Sequence, residues 1–400
     1  MPLKMRMKLS AMMFLQFMMM PVWFIPMINY VKGMPDAGNW PFWCGLVWGL
    51  GTLSSPLVGM FADRFLNAEK VLALCNFAGA VFLGWAFCAK TPGSLFVAVL
   101  LTMLFYMPSW SLTATIAMAN STTEAFPQIR VFGSLGWVAS AVFSLVGTAC
   151  FGIANFDTTP YIFLSGAIGS AVGGVFALFL PATPPKAKGT PMSVADALGL
   201  KALVLLKRPD FLVFSALILL AMVPFQWYNA YNGLYLGEKK FQFITMTMNI
   251  GQVFELVFML MIPFFLRKLG YKWAMVLGLG ALAFRYGCFY FGAAGVDALD
   301  FGGILVHGLI FGLLVIGSQM YVDAAAPAEL RGQAQGFMGL IMFGIGTCLS
   351  NWFFDRMLAA NVVKETGAHV WTKPYAVAFF AAVVLAVLMA ALFQPKKEEK

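Results

Sequence analysis

The sequence predicts an all-α polytopic membrane protein, with twelve transmembrane helices in two six-helix halves. Of the 400 residues, 61% are hydrophobic and 11% are charged, and the mean hydropathy is +0.82. Soluble globular chains carry roughly 25% charged residues. Apolar runs of about 18 residues or more recur along the chain, and each can cross a hydrocarbon core about 30 Å thick as a helix. These observations exclude an ordinary soluble protein and a disordered chain.

The apolar runs delimit the predicted spans. In chain order these are residues 9–31, 41–62, 70–90, 94–119, 129–153, 160–181, 210–236, 242–266, 272–292, 300–322, 332–357 and 373–394. The first run follows Lys4, Arg6 and Lys8 but has no small-residue cleavage site, so it is interpreted as a span and not as a signal peptide.

One long polar connection divides the chain. It contains Pro184, Pro185 and Pro191 together with four lysines and Arg208, which suits a cytoplasmic linker, and it has room for a short surface helix around residues 193–206. The predicted domains are an N-terminal six-helix half (1–181), the linker (182–209) and a C-terminal six-helix half (210–400).

The distribution of Lys and Arg predicts the orientation. If Arg130 at the start of the fifth span is included, eighteen of the 26 lie at the N-terminus, in the even-to-odd loops or at the C-terminus. Seven lie in the opposite loops, and Arg285 lies inside a span. Cytoplasmic loops of membrane proteins carry the excess of basic residues. We therefore expect a multi-pass membrane protein with both termini in the cytoplasm. The basic residues flank spans, so the net charge of +9 does not indicate a nucleic-acid partner.

The two halves resemble one another in their loops. GMFADRFLNAEK follows the second span, and FFLRKLGYKW follows the eighth. A duplicated six-span unit is the architecture of major facilitator transporters, whose substrate site lies near the membrane midplane. The Gly-x3-Asp-Arg pattern from Gly59 to Arg64 resembles the signature loop of that superfamily.

Glu255 is the clearest candidate site residue. It lies inside the eighth span, and Gln252 is three residues earlier on the same helical face. Ionisable side chains inside a bilayer are costly, so each is a candidate for substrate or proton chemistry. A hydrogen bond that joins two helices is the alternative role.

The fifth span carries Arg130, Ser134 and Trp137 in one stripe, at offsets of four and seven residues. A guanidinium offers five fixed donors, and an indole offers a flat stacking face. The alternative for Arg130 is a basic residue at the cytoplasmic end of a helix.

The seventh span carries Gln226 and Asn229, also three residues apart. Two carboxamides on one face can bind the donor and acceptor edge of a heterocycle, as they do with bases. The neighbouring Trp227, Tyr228 and Tyr231 are interpreted as residues of the aromatic belt at the membrane interface.

The tenth span contains His307, with Phe311 four residues later. A lone histidine inside the membrane is a candidate for proton relay or for a hydrogen bond to ribose, and a structural role is the alternative. Arg285 is interpreted as structural, and Gln16 in the first span is a weaker candidate.

Together these residues predict a mixed site with one carboxylate, one guanidinium, three carboxamides and an aromatic plate. A lipid or hydrophobic drug needs fewer hydrogen-bond partners, and a sugar alone needs fewer carboxamides. A neutral molecule with a hydroxylated ring and a flat heterocycle fits best, which describes a nucleoside. The sequence has no GxxxxGK[ST] loop, no HExxH pair and no GxSxG elbow, so an ion gradient is the expected energy source and an intramembrane enzyme using His307 and Glu255 is disfavoured. We expect no cofactor and no metal.

Several motifs resemble the bacterial nucleoside–proton symporter family of the major facilitator superfamily. They are FLQF at 14–17, ADRxxNAEK at 62–70, FYMP at 105–108, PxIRxxGSxGW at 127–137, IPFFL at 262–266 and AELRGQAQG at 328–336. The resemblance runs nearly from end to end, and it also includes the Gln226–Asn229 and Gln252–Glu255 pairs.

The resemblance implies a secondary transporter of the bacterial inner membrane that imports nucleosides by proton symport with alternating access. We expect it to act as a monomer in the lipid bilayer. The resemblance assigns nucleoside binding to Arg130, Ser134, Trp137, Gln226, Asn229, Gln252 and Glu255, and His307 and Phe311 are further candidates for binding in the tenth span. As ionisable groups inside the membrane, Glu255 and its alternative His307 are the expected proton-coupling residues. The chain has Phe311-Gly312 where members of the family can have an aromatic residue followed by Asp, and His307 where they can have Tyr. The alternatives are a porter for a sugar, nucleobase or nucleoside analogue, and a transporter-like sensor that binds without translocating.

Overall fold

The computed structural model describes residues 2–62, 64–122, 125–185, 200–327, 330–363 and 367–395. Over these ranges the chain is helical and forms no strand, apart from an isolated bridge between Val362 and His369. The predicted all-α class is confirmed.

The helices that precede the polar connection are α1 (Leu3–Met18), α2 (Pro21–Lys32), α3 (Trp40–Thr52), α4 (Ser55–Ala62), α5 (Ala68–Cys88), α6 (Pro92–Ala119), α7 (Phe126–Ala139), α8 (Ala141–Phe151) and α9 (Tyr161–Ala177), with a short 3-10 helix at Phe156–Thr158. The first predicted span comprises α1 and α2, which are separated at Met19 and Met20. Pro21 is the first residue of α2, where a missing N–H is tolerated.

The helices that follow are α10 (Pro209–Glu238), α11 (Ile244–Ala293), α12 (Ala298–Leu305), α13 (His307–Ile310), α14 (Gly317–Ala325), α15 (Arg331–Gly339), α16 (Gly346–Ala359) and α17 (Thr372–Leu392), with a 3-10 helix at Leu200–Lys207 and π-helical segments at Phe311–Ile316 and Leu340–Ile345. Gly270 has φ 68° and ψ 172°, so α11 is two helical rods joined at a left-handed residue. This break lies between the predicted spans 242–266 and 272–292.

Ten helices of the described residues are long and apolar enough to cross a membrane. They are Leu3–Lys32, Trp40–Ala62, Ala68–Cys88, Pro92–Ala119, Gln128–Phe151, Pro209–Glu238, Phe264–Ala293, Ala298–Ala325, Gln333–Ala359 and Thr372–Leu392. Two further apolar helices, Tyr161–Ala177 and Ile244–Met259, are shorter and fall within the remaining predicted spans. Large apolar side chains such as Val81, Phe380 and Val387 are more than 60% exposed on these helices. Such surfaces suit a lipid environment.

The described residues form two compact units, and their boundaries differ from the predicted halves. One unit comprises Met1–Ala197 with Ala230–Asn249, and the other comprises Leu198–Asn229 with Ile250–Lys400. The end of α10 and the start of α11 therefore group with the N-terminal helices. Most of the predicted surface helix at 193–206 lies outside the described residues, and its last part lies in the 3-10 helix Leu200–Lys207.

In the first unit, α5 packs against α6 and α9, and α1 packs against α7. Its core contains side chains from these helices, including Leu9, Leu72 and Ile129. The core of the second unit is an aromatic stack, in which the Trp227 ring lies 4.2 Å from the Phe354 ring at an interplanar angle of 9°.

Candidate functional site

Two glycines in α7 bring the Arg130 segment against α1. A Cβ atom at Gly136 would overlap the Phe14 carbonyl oxygen, and a Cβ atom at Gly133 would lie 3.2 Å from the Phe17 ring. Because neither glycine has a side chain, the two helices pack closely, and the Arg130 guanidinium lies 4.5 Å from the centroid of the Phe17 ring. This distance is within the range of a cation–π interaction.

An aromatic cluster adjoins Arg130 in the first unit. The Phe17 and Trp110 rings stack at 5.1 Å, and the Trp110 and Trp137 rings meet edge to face at 6.4 Å. Trp48 also contacts Trp110 edge to face, at 5.5 Å. The structure therefore places Arg130 and Trp137 beside the same Phe17–Trp110 stack, and Ser134 is buried on the same helix. Phe17, Trp48 and Trp110 were not among the predicted site residues, because nothing in their local sequence shows which rings meet across helices.

The Trp137 end of α7 is anchored by Asn249 of α11. The Asn249 amide donates to the carbonyl oxygens of Trp137 and Val138 at 3.2 and 3.3 Å, and to Ser140 Oγ at 3.1 Å. These contacts fix the backbone that carries the Trp137 side chain, and the sequence reasoning missed them.

Gln16, the weaker candidate, forms part of a buried polar network in the first unit. Its Nε2 atom donates to Ser109 Oγ at 2.5 Å, and its Oε1 atom accepts from Asn76 Nδ2 at 3.0 Å. Its carbonyl oxygen accepts from the Tyr106 hydroxyl at 2.8 Å. These bonds join α1, α5 and α6, which favours a structural role for Gln16.

In the second unit, the two carboxamides of α10 contact one another. Asn229 Nδ2 donates to Gln226 Oε1 at 3.2 Å, and Gln226 Nε2 donates to the carbonyl oxygen of Met342 at 3.1 Å. Met342 lies in a π-helical segment, where the wider turn alters the regular helical hydrogen bonds. The predicted pair is therefore adjacent. Gln226 is fixed by the protein, and Asn229, which is only partly buried, is the more accessible of the two.

Glu255 and His307 form the ionisable centre of the second unit. His307 Nε2 lies 3.7 Å from Glu255 Oε2, and both side chains are buried. A Cβ atom at Gly308 would overlap the Glu255 backbone, and one at Gly251 would lie 3.0 Å from His307 Cβ. These two glycines allow α11 and α13 to approach closely enough for the two side chains to meet. Gln252 is half-buried one turn before Glu255.

The His307 ring lies among aromatic side chains. Phe311 stacks on it at 6.3 Å and Phe225 at 6.4 Å, and Tyr228 lies 5.3 Å away. Assignment of Trp227, Tyr228 and Tyr231 to an interfacial belt is wrong, because each is less than 5% exposed and packs inside its unit. Enrichment of Trp and Tyr at membrane interfaces does not show which of these rings are buried by packing between helices.

The position after Phe311 is filled from another helix. A Cβ atom at Gly312 would lie 2.9 Å from Ile262 Cδ1. Members of the nucleoside–proton symporter family can have a carboxyl group at this position. In this chain the position is a glycine, and Ile262 packs against it. The acidic group of the second unit that contacts His307 comes from α11.

Apolar, membrane-length helices with arginine, carboxyl, imidazole and carboxamide groups buried among them are typical of a polytopic membrane transporter. The fold supports this class, since the crystal structure of the nucleoside transporter NupG matches with a TM-score of 0.84 at 25% identity, over 98% of this chain and 100% of that one. A model of the family described as "Nucleoside H+ symporter" matches residues 3–398. The chain belongs to this family and is a proton-coupled nucleoside transporter.

Two related proteins from Escherichia coli (strain K12) match along most of the chain. A protein named YegT is 36% identical over 397 residues, which cover 95% of this chain and 91% of YegT. The nucleoside permease NupG is 27% identical over 421 residues, which cover 98% and 97% of the two chains.

Proposed function

We propose that the chain imports nucleosides together with protons across the bacterial inner membrane, as a monomer with twelve spans and both termini in the cytoplasm. The ten long apolar helices and the two shorter ones support twelve spans. The excess of Lys and Arg at the termini and in the even-to-odd loops supports the orientation. Alternating access, which is general for this fold, moves the substrate.

We infer that Arg130, Ser134 and Trp137 contact the nucleoside from the first unit. The guanidinium and the indole lie beside the Phe17–Trp110 stack, which supports a role in holding a flat, hydroxylated ligand. The indole supplies a stacking face, and the guanidinium and hydroxyl supply hydrogen bonds.

In the second unit, Gln226, Asn229, Gln252, Glu255, His307 and Phe311 are the proposed nucleoside-binding residues. Asn229 offers its carboxamide to the heterocycle while Gln226 supports it through their mutual hydrogen bond. Phe311 and His307 present stacked rings, and Glu255 in its ionised form accepts hydrogen bonds from ribose hydroxyls.

Glu255 is the proposed proton-coupling residue, and His307 is its alternative. The observation that carries the proposal is the buried contact between Glu255 Oε2 and His307 Nε2 at 3.7 Å. When ionised, Glu255 binds the substrate. When protonated, it allows the transporter to change conformation without an unpaired charge inside the membrane. Substrate binding and protonation are then linked through one group, which coupling requires.

Uptake of labelled nucleosides by proteoliposomes, with and without an imposed pH gradient, tests the function. We expect concentrative uptake only with the gradient. Competition with uridine, adenosine, ribose and uracil separates a nucleoside transporter from a porter for sugars or nucleobases. Binding without counterflow would instead identify a sensor.

The Glu255→Gln variant tests the coupling residue, since glutamine keeps the size and polarity but cannot titrate. We expect loss of uphill accumulation, while exchange of nucleoside partly survives. Glu69→Gln is the matched control, because Glu69 is a buried glutamate that accepts hydrogen bonds from Thr183 N and Asn67 Nδ2 outside the proposed site. If Glu255→Gln still concentrates nucleoside and His307→Gln does not, the proton belongs to the histidine.

A further inference from the structure

Arg285, which the sequence suggested to be structural, contacts the proposed proton-coupling pair directly. Its side chain is fully buried in the second rod of α11. Its Nη2 atom lies 2.9 Å from His307 Nδ1, and its Nε atom donates to the carbonyl oxygen of Gly303 at 3.1 Å. The guanidinium carbon lies 4.0 Å from the centroid of the Tyr228 ring. The hydrogen bonds and the ring together hold the guanidinium in one plane.

The contact with Arg285 determines which nitrogen of His307 carries hydrogen. A guanidinium in a protein is always protonated and has only donors, so Nη2 donates and His307 Nδ1 accepts. The Nδ1 atom therefore carries no hydrogen, and the neutral ring has its hydrogen on Nε2. This is the nitrogen that lies 3.7 Å from Glu255 Oε2, so the N–H group faces the carboxyl group.

We propose that Arg285 is a positioning residue of the proton-coupling site, which holds His307 in the Nε2–H form and thereby makes Glu255 the group that carries the transported proton. The inference rests on the proposed role of Glu255. The arriving proton binds a carboxylate oxygen of Glu255 and later leaves from the same group, while His307 and Arg285 keep their own protons. His307 gains a second proton only at Nδ1, and this requires that the bond to Arg285 break.

The charges around His307 are consistent with this assignment. Among the described residues, the titratable or charged groups in contact with the ring are Glu255, Arg285 and Tyr228, each from a different helical segment. The Phe225 and Phe311 rings cover the imidazole. A cationic ring would be held beside the permanent charge of Arg285, and like charges at short distance disfavour one another.

The histidine content of the chain allows a direct test, because His307 and His369 are its two histidines. In the full-length His369→Gln variant, nitrogen-15 labelling of histidine makes His307 the one imidazole observed by NMR. We expect the Nε2–H tautomer throughout pH 5 to 8. Resonances of the Nδ1–H tautomer, or of imidazolium within this range, would overturn the proposal.

The Arg285→Met substitution in the same background removes the guanidinium. We expect a mixture of tautomers, and uptake of a second proton by the ring as the pH falls from 8 to 5. In proteoliposomes, the half-saturation concentration for nucleoside exchange gains a corresponding pH-dependent step, which the Arg285→Met/His307→Gln double variant lacks. An unchanged NMR spectrum, or a step that persists in the double variant, would contradict the role of Arg285.

Failure of the proposed role of Arg285 can be distinguished from failure of the proposed role of Glu255. If Glu255→Gln still accumulates nucleoside, the assignment of the proton to Glu255 fails, although the tautomer measured in the unsubstituted site still reports on Arg285.

Discussion

Trp137 meets Trp110 with its edge and keeps part of its surface accessible. Stacking of a base on an aromatic side chain is worth about 1–3 kcal/mol. We expect Trp137→Ala to raise the half-saturation concentration about tenfold, since about 1.4 kcal/mol corresponds to a factor of ten. Trp137→Phe retains a ring and has a smaller effect.

The matched control for this substitution is Trp273→Ala, which removes an exposed indole beside Lys272. Its half-saturation concentration stays near the native value. A near-native value for Trp137→Ala as well would assign Trp137 to helix packing rather than to the nucleoside.

Asn229 offers a cleaner test of heterocycle binding than Gln226. Gln226→Ala also breaks the bond to the Met342 carbonyl oxygen, whereas Asn229→Ala preserves it. An unpaired polar group on a buried ligand costs about 1–3 kcal/mol. We expect the loss of affinity in Asn229→Ala to depend on which nucleoside is offered. Equal losses for purine and pyrimidine nucleosides, measured by competition uptake, would indicate contacts with the sugar.

At the scale of helices, the contact between α1 and α7 depends on Gly136. Because the obstacle to a Cβ atom is the Phe14 backbone carbonyl and not a flexible side chain, Gly136→Ala forces the helices apart. Overpacking of this kind costs typically about 1–3 kcal/mol. Thermal unfolding in detergent measures the expected decrease in stability.

Gly84 in α5 is the matched control, since a Cβ atom there would meet nothing within 4 Å. Gly84→Ala places a better helix former in the middle of a helix and stabilises it by about 1 kcal/mol. An equal response of the two variants would mean that the α1–α7 contact does not depend on the missing side chain of Gly136.

The 3-10 helix Phe156–Thr158 supplies a cap for α11, because Asp157 Oδ2 accepts from the backbone N–H of Thr245 at 2.9 Å. Burial raises the pKa of Asp157, and the bond from Thr245 opposes part of that rise. When the pKa of a carboxyl group is raised in the folded state, its ionisation destabilises the folded state relative to the unfolded chain. Its contribution to the stability therefore decreases as the pH rises through the raised pKa, above the ordinary value near 3.8.

The Asp157→Asn substitution keeps an acceptor for Thr245 and removes the charge. We expect its unfolding temperature to fall less than that of the native protein between pH 4 and pH 7. Asp157→Ala loses the cap and is less stable than Asp157→Asn by about 1 kcal/mol. Identical pH profiles for the native protein and Asp157→Asn would contradict a pH-dependent contribution from this carboxyl group.

For the whole molecule, hydropathy was sufficient to predict the helical membrane class. The ten long apolar helices coincide with predicted spans, because the transfer energy of a span is a sum over its residues and does not depend on its neighbours. The break at Met19 and Met20, the π-helical segments and the exchange of residues 230–249 between the predicted halves were not anticipated. These features depend on packing between helices that are distant in the sequence.

The candidate site likewise has contacts that helical spacing predicts and contacts that depend on packing between distant helices. Helical spacing placed Gln226 beside Asn229, and the structure brings them into hydrogen-bonding contact. Spacing could not show that Arg285, 22 residues before His307, would donate to its ring. The signal for Arg285 was nevertheless present, since a charged residue inside an apolar span requires a partner. The small residues that permit the contacts, such as Gly308, carry no chemistry of their own and are therefore hard to recognise in a single sequence.

The two buried charges of Arg285 and Glu255 have an electrical consequence. With His307 neutral, the net charge of Arg285 and Glu255 is zero before the proton binds Glu255, and it is one positive charge afterwards. A nucleoside is uncharged near neutral pH, so each proton that enters with it carries one elementary charge inward. A membrane potential of 100 mV supplies about 2.3 kcal/mol for that charge, which corresponds to about fiftyfold accumulation at a factor of ten per 1.4 kcal/mol. In liposomes without a pH gradient, an inside-negative potassium diffusion potential is therefore expected to drive uptake by the native protein and not by Glu255→Gln. Voltage-independent uptake would mean that a second charge moves with each cycle. Without such a second charge, nucleoside import carries an inward current that depolarises the cell.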